Sequence, residues 1–293
     1  MKSGFVSIVG RPNVGKSTLI NSLVNQKIAI TSDKVQTTRN IIQGIYNDDE
    51  SQIVFIDTPG IHKPINKLGK LLNKKANSSI FDVDLVLFLI DASQNIGPGD
   101  QFIIESLKNI KAPVILLINK MDLITKEMIL LKIEEYKDLF NFSEIIPVSA
   151  LKNDNVDHLI KVIKKYLKDQ IKYFPDDMVT SSSTNFLISE FVREKILLCT
   201  EEEVPHSVTC ITTHYEETPK IVNISVDIIV DREALKKIII GKNGSKLKQI
   251  GALARIDIEK MLGRQIYLQL YVKTVPKWRD KERLLRDLGL KDQ

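Results

Sequence analysis

The run Gly10-Arg11-Pro12-Asn13-Val14-Gly15-Lys16-Ser17, followed by Thr18, sets glycines, a lysine and a hydroxyl at a spacing suited to phosphate. Glycine lets the backbone curl until its N–H groups face phosphate oxygens. Lys16 then reaches the terminal phosphates, and Ser17 offers a ligand to Mg2+. The run follows a strand candidate, Phe5–Val9, and opens a helix candidate, Lys16–Val24, whose N-terminal dipole favours an anion. An ordinary glycine-rich turn would not need that strand and helix around it.

Three further segments follow in order. Asp57-Thr58-Pro59-Gly60 closes a strand candidate, where a carboxylate can hold Mg2+ through water and the Gly60 amide can meet a γ-phosphate. Asn119-Lys120-Met121-Asp122 closes another; the Asp122 carboxylate can accept both N1–H and N2–H of guanine, a pairing adenine cannot offer. Ser149-Ala150-Leu151 follows the next and can place a backbone N–H on guanine O6. Each is weak alone, and Asn-Lys-x-Asp could be a strand-ending turn. Together, each at the carboxyl end of a strand, they point to GTP.

The elements that must position these residues are legible over the first ~170 residues. Phe5–Val9, Gln52–Asp57, Leu85–Asp91, Val114–Asn119 and Glu144–Val148 are short apolar runs suited to parallel strands buried on both faces. Lys16–Val24, Lys67–Ser79, Asp100–Lys108, Lys126–Phe140 and Val156–Lys168 have helical periodicity. The alternation predicts a doubly wound α/β sheet over residues 1–172. Pro, acidic residues and a serine cluster mark 173–185 as a linker. Residues 186–293 read as α+β: helix 186–198, strands 207–215 and 220–230 alternating as an antiparallel pair with one wet face, helices 232–239 and 245–261, and strand 265–275.

Between those last two helices lies Ile240-Gly241-Lys242-Asn243-Gly244, with Lys246 and Lys248 just beyond. A G-x-x-G loop could join any two helices. In this order of elements it resembles a type II KH domain, whose loop clamps about four single-stranded nucleotides, RNA rather than DNA. Ile239, Ile240 and Ile250 could line a base groove or pack in the core. From Asp231 onward there are 16 Lys/Arg against 8 Asp/Glu, whereas the rest of the chain has 26 against 29. A basic end on a slightly acidic body suits a polyanionic partner, though a solvated basic surface would read the same.

Taken together, Gly10–Thr18, Gln36-Thr37-Thr38-Arg39, Asp57–Gly60, Asn119–Asp122, Ser149–Leu151 and the C-terminal module resemble the Era family of translation-factor-like GTPases, over nearly the whole chain. The resemblance implies a first switch at Gln36, Thr37, Thr38, Arg39 and Asn40, with Thr38 on Mg2+, and a second from Asp57, Thr58, Pro59, Gly60 and Ile61 to about Asn66. It implies GTP hydrolysis, slow without RNA or K+, and binding near the 3′ end of 16S ribosomal RNA during small-subunit assembly. Ile61 stands where Ras-type proteins carry a water-orienting glutamine, so hydrolysis is expected to be slow or to be helped by another group. Asn13 resembles the asparagine of K+-using GTPases, or it stabilises its loop. His62 is expected to be an exposed switch residue rather than a base.

The chain has 293 residues, 43% hydrophobic and 27% charged, with a net charge of +5. That excludes disordered and disulfide-rich classes. Cys199 and Cys210 lack metal-ligand spacing and are expected as free thiols. No apolar run approaches the ~20 residues of a bilayer span, and a strand candidate begins at Phe5, so a cytoplasmic monomer without a leader is expected. Trp278 with Leu284, Leu285 and Leu288 could dock on the inner face of the cell membrane, but reads better as a packed C-terminal helix. A Der-like protein would carry two phosphate loops, and this chain has one. An RNA binder holding a purely structural nucleotide remains a rival, separable by turnover.

Overall fold

The computed structural model describes residues 1–34, 37–57 and 82–288. The helix expected at Lys67–Ser79 lies outside the described residues, as do Gln36, Thr58, Pro59, Gly60, Ile61 and His62. The chain forms two compact units, one running to Ser181 and the other from Ser182, with part of the 32–37 stretch grouped with the second.

In the first unit six strands form one sheet in the order β2-β3-β1-β4-β5-β6. They are β1 (Lys2–Gly10), β2 (Ile42–Asn47), β3 (Ser51–Asp57), β4 (Leu85–Asp91), β5 (Val114–Asn119) and β6 (Glu144–Pro147). All neighbours are parallel except β2, which runs antiparallel to β3. β3, β4 and β5 are buried at every position, as apolar runs with both faces covered must be. Around the sheet lie α1 (Lys16–Leu23), α2 (Pro98–Leu107), α3 (Lys126–Lys137) and α4 (Val156–Ile163). Val9, Phe88, Leu116, Ile103 and Tyr136 pack in one core cluster between sheet and helices. β1, β3 and β5 end at Gly10, Asp57 and Asn119, so the chemistry-bearing residues gather at one edge of the sheet.

β2 has no counterpart among the sequence expectations. Its polar residues and central Gly44 hide a strand, but the glycine has a packing cause. A Cβ there would lie 2.8 Å from Ile20 Cγ1 and 2.9 Å from Ile28 Cδ1, both side chains being buried. The turn into β3 is held by Asp48, whose Oδ1 accepts from the amides of Glu50 and Ser51 at 3.0 and 2.8 Å.

The linker expected at 173–185 is only partly one. Residues 173–181 are stitched to the first unit. The Ile45 amide donates to the Val179 carbonyl at 2.9 Å, and Gly44 and Thr180 form an antiparallel bridge. Buried Gln52 accepts from the amides of Tyr173 and Phe174 at 2.7 and 2.9 Å and donates to the Phe174 carbonyl at 2.8 Å. The polar residues there satisfy a sheet edge, and composition alone does not distinguish that from free coil.

The second unit starts with α5 (Thr184–Cys199), capped by Ser183 accepting from the Phe186 amide, and a short α6 (Val204–Ser207). Along α5 even the charged positions are buried, because they are paired. Arg193 forks onto Glu190 at 2.7 and 2.6 Å, and Lys195 meets Glu194 and Asp257 at 2.7 and 2.5 Å. Then come β7 (Val208–Glu217), β8 (Val222–Val230), α7 (Glu233–Ile240), α8 (Ser245–Leu262), β9 (Ile266–Thr274) and α9 (Glu282–Asp287). β7 and β8 are antiparallel as expected, and β9 adds to β8 in parallel. Trp278 is fully buried and donates its Nε1–H to the Ser207 carbonyl at 2.8 Å, and Leu285 of α9 is buried. Trp278 lies in a short 3-10 turn ahead of α9, and Leu284 and Leu288 are half-buried. Among the described residues no helix is long and apolar enough to cross a membrane, and both cysteines are free thiols.

Candidate functional site

The phosphate loop leaves β1 at Gly10 and enters α1 at Lys16. Its two glycines are irreplaceable for different reasons. A Cβ at Gly10 would sit 2.4 Å from the Leu89 carbonyl oxygen, and Gly15 combines φ +103° with 2.2 Å to Asn119 Nδ2. Asn13 also holds a positive φ, 64°, and Val14 is buried between them. Arg11, Pro12 and Thr18 are half-buried. Lys16 is buried, with Nζ donating to the carbonyls of Gly10 and Arg11 at 3.0 and 2.9 Å. Burial lowers its pKa to about 8, against the opposing charge of Asp57.

Three oxygens from separate segments converge beside that lysine. Ser17 Oγ lies 2.8 Å from Thr38 Oγ1 and 2.8 Å from Asp57 Oδ2, and Thr38 Oγ1 lies 3.4 Å from the same carboxylate oxygen. Asp57 is fully buried. Two hydroxyls and a carboxylate are a hard-oxygen donor set of the kind Mg2+ takes alongside substrate phosphates, so the residues fit that ion. Thr37 caps its own turn, donating to the Lys34 carbonyl at 2.6 Å; Arg39 is buried and Asn40 half-buried.

Asn119, Ser149, Ala150 and Asp122, expected from the sequence to face a base, are joined by hydrogen bonds. Asn119 braces three loops, its Nδ2 donating to the Val14 carbonyl at 2.8 Å and its Oδ1 accepting from the Ala150 amide at 3.0 Å. Lys120 turns the chain through φ 64° into a 3-10 turn that carries Asp122. Asp122 is exposed, with Oδ1 held by Ser149 Oγ at 2.5 Å. Ser149 thus orients a carboxylate, and the Ala150 amide would share its proton between Asn119 and a base oxygen. Leu151 is exposed.

In the second unit, Gly241 (φ 72°), Asn243 (φ 51°) and Gly244 (φ 76°) curl the chain between α7 and α8. A Cβ at Gly241 would lie 2.8 Å from Lys246 Cβ. Lys242, Asn243 and Lys248 are exposed, and Lys246 and Ile240 half-exposed. Ile239 and Ile250 are fully buried and belong to the core. Sequence reasoning did not single out an apolar strip in the same unit. Leu268, Leu270 and Val272 alternate along the edge strand β9, half-exposed, and Gly251 on α8 leaves room for Leu270, whose Cδ1 a Cβ would meet at 3.4 Å. Period-two alternation in that strand was the available signal.

Residues 5–120 match a family described as 50S ribosome-binding GTPase, and residues 203–279 match the KH domain. A crystal structure of a variant of Aquifex aeolicus Era bound to GDP·AlF4− is 42% identical, covers the whole of both chains and superposes with a TM-score of 0.95. A crystal structure of Era with MgGDPNP and nucleotides 1506–1542 of 16S ribosomal RNA is 43% identical, again over both whole chains, with a TM-score of 0.95.

Proposed function

The chain belongs to the Era family of GTPases, and from that membership we propose that it hydrolyses GTP with Mg2+ and engages the 3′ region of 16S ribosomal RNA in small-subunit assembly. One observation carries the catalytic half: Ser17, Thr38 and Asp57, from three distant segments, converge within 3.4 Å beside buried Lys16. The RNA half is supported by the glycine-curled Gly241–Gly244 loop and its exposed lysines.

The reaction is GTP + H2O → GDP + phosphate, with no covalent intermediate. The loop amides between Gly10 and Lys16 cradle the phosphates, and Lys16 neutralises charge as the γ-phosphoryl departs. Ser17, Thr38 and Asp57 would hold Mg2+, which would supply further charge neutralisation at the phosphates. Asp122, oriented by Ser149, accepts from the guanine edge, while Asn119 and Lys120 shape its slot. In place of the glutamine that Ile61 replaces, a K+ held with the help of Asn13 is part of the proposal, resting on the likeness of Asn13 to the asparagine of K+-using GTPases. We place the domain boundary at residues 181 and 182, and read the protein as a cytoplasmic monomer.

Multiple-turnover phosphate release, with and without an oligonucleotide carrying the 16S 3′ sequence, tests the reading. Sustained release stimulated by RNA is expected. A single turnover with no further release would make the nucleotide structural, and liposome flotation would expose a membrane partner.

A further inference from the structure

Asp91, the last residue of β4, belongs to no nucleotide motif, yet it is 2% exposed and lies in register with Asn119. Its Oδ2 takes the Lys120 ammonium at 2.6 Å. Its Oδ1 accepts from the Ser93 amide at 3.0 Å and the Ser93 hydroxyl at 2.7 Å. Burial alone would push this carboxyl up, but the bonds from Lys120 and Ser93 outweigh it and hold the group below its ordinary value, an anion at neutral pH.

The chain of contacts continues. Gln94 donates from Nε2 to Asp91 Oδ2 at 3.1 Å and accepts at Oε1 from Arg11 Nη2 at 2.9 Å. Arg11 forms an ion pair through Nε with Asp100 at 3.1 Å, and fully buried Asp100 in turn accepts from the Gly97 amide at 2.9 Å, closing the first turn of α2. Room has been kept for that arginine: a Cβ at Gly97 or Gly99 would lie 2.8 Å from Arg11 side-chain atoms. A lysine of the base loop and an arginine of the phosphate loop are therefore anchored on two buried carboxylates, with one amide side chain between them.

We propose that Asp91 and Gln94 are positioning residues of the nucleotide site: Asp91 fixes the Lys120 side chain, and Gln94 links that restraint to Arg11, so the base and phosphate loops hold the nucleotide as one unit. Lysine has four rotatable side-chain bonds, and fixing them before the nucleotide arrives removes an entropy cost from binding. The gain appears in the rate of release, since affinity within one site is tuned mainly through dissociation. This rests on guanine nucleotide occupying the site, a premise checked separately by GDP binding to the wild-type protein.

The test follows release of fluorescent GDP from the full chain by stopped flow. Asp91→Asn keeps the shape and removes the charge; release is expected to speed up ~10-fold and KM for GTP to rise with it, while kcat changes less than ~2-fold. Gln94→Ala, at an exposed position that should tolerate it, is expected to speed release ~3-fold. The double variant is expected to match Asp91→Asn alone, because both cut one chain of contacts. Wild-type release rates in both single variants would overturn the proposal. Multiplying effects in the double variant would overturn the link between the loops. Should Asp91→Asn fail to fold, Lys120→Met takes its place, keeping the methylenes and removing the ammonium. Gln94→Ala must then add nothing to it.

Discussion

At the scale of single residues, Asp122 and Lys16 give the sharpest expectations. Asp122→Asn presents an amide N–H where guanine offers its own N–H groups, but matches the 2-oxo group of xanthine. GTP affinity should fall ~100-fold, about 2.7 kcal/mol, with XTP binding gained; nucleotide titrations of the two proteins check both. Lys16 sits at about 8 before phosphate arrives, and phosphate oxygens raise it. Binding therefore takes up a proton above pH 8, and GTP affinity should be flat below that pH and weaken toward tenfold per unit above it. The sign for folding is opposite. Between about 8 and the ordinary lysine value the unfolded chain binds more protons, so stability of the nucleotide-free protein should gain as pH rises through that window. Calorimetry at pH 9 in buffers of different ionisation enthalpy would read the proton uptake. For Asn13, replacing K+ by Na+ should slow wild-type turnover and leave Asn13→Ala unaffected. Equal wild-type rates in both salts would remove the K+ role.

At the scale of elements, Gly44 is where a small change should cost most for its size. Gly44→Ala drives a methyl into Ile20 and Ile28 and should destabilise the first unit by ~1–3 kcal/mol, read as a lower urea midpoint. The same glycine shows why some elements were legible and others were not. β4 and β5 are apolar at nearly every position and β3 through its centre, Ile53 to Ile56, because both faces are covered, and their runs announce them. β2 is legible only through what its glycine touches, which is long-range information. The nucleotide residues could be read because their spacing is fixed by the ligand they suit. Ser149 as the brace of Asp122, and Asn119 as the brace of three loops, could not, since their partners are 27, 105 and 31 residues away. In the second unit the loop at Gly241–Gly244 was legible, whereas the roles of Ile239 and Ile250 were settled by burial alone.

At the scale of the whole molecule, the two activities should be separable by charge. Replacing Lys242 and Asn243 by Asp removes one cation and adds two anions on an exposed loop while its glycines remain. Single-stranded RNA affinity should fall ~100-fold with a shallower salt slope, GTP affinity should stay at the wild-type value, and any RNA stimulation of turnover should be lost. Filter binding across a salt series checks the first pair. The stretch 173–181 has another consequence for any attempt to study the units apart. β2 is the outermost strand on its side of the sheet, and the Val179 carbonyl and Thr180 lie along the edge it presents. A fragment ending at residue 172 bares that edge, with its unpaired N–H and C=O groups, to other chains in solution. Such a fragment should self-associate with concentration in light scattering, and one ending at 181 should not. The cover over the first unit's edge is thus a solubility device, carried by residues that look, in sequence, like a tether.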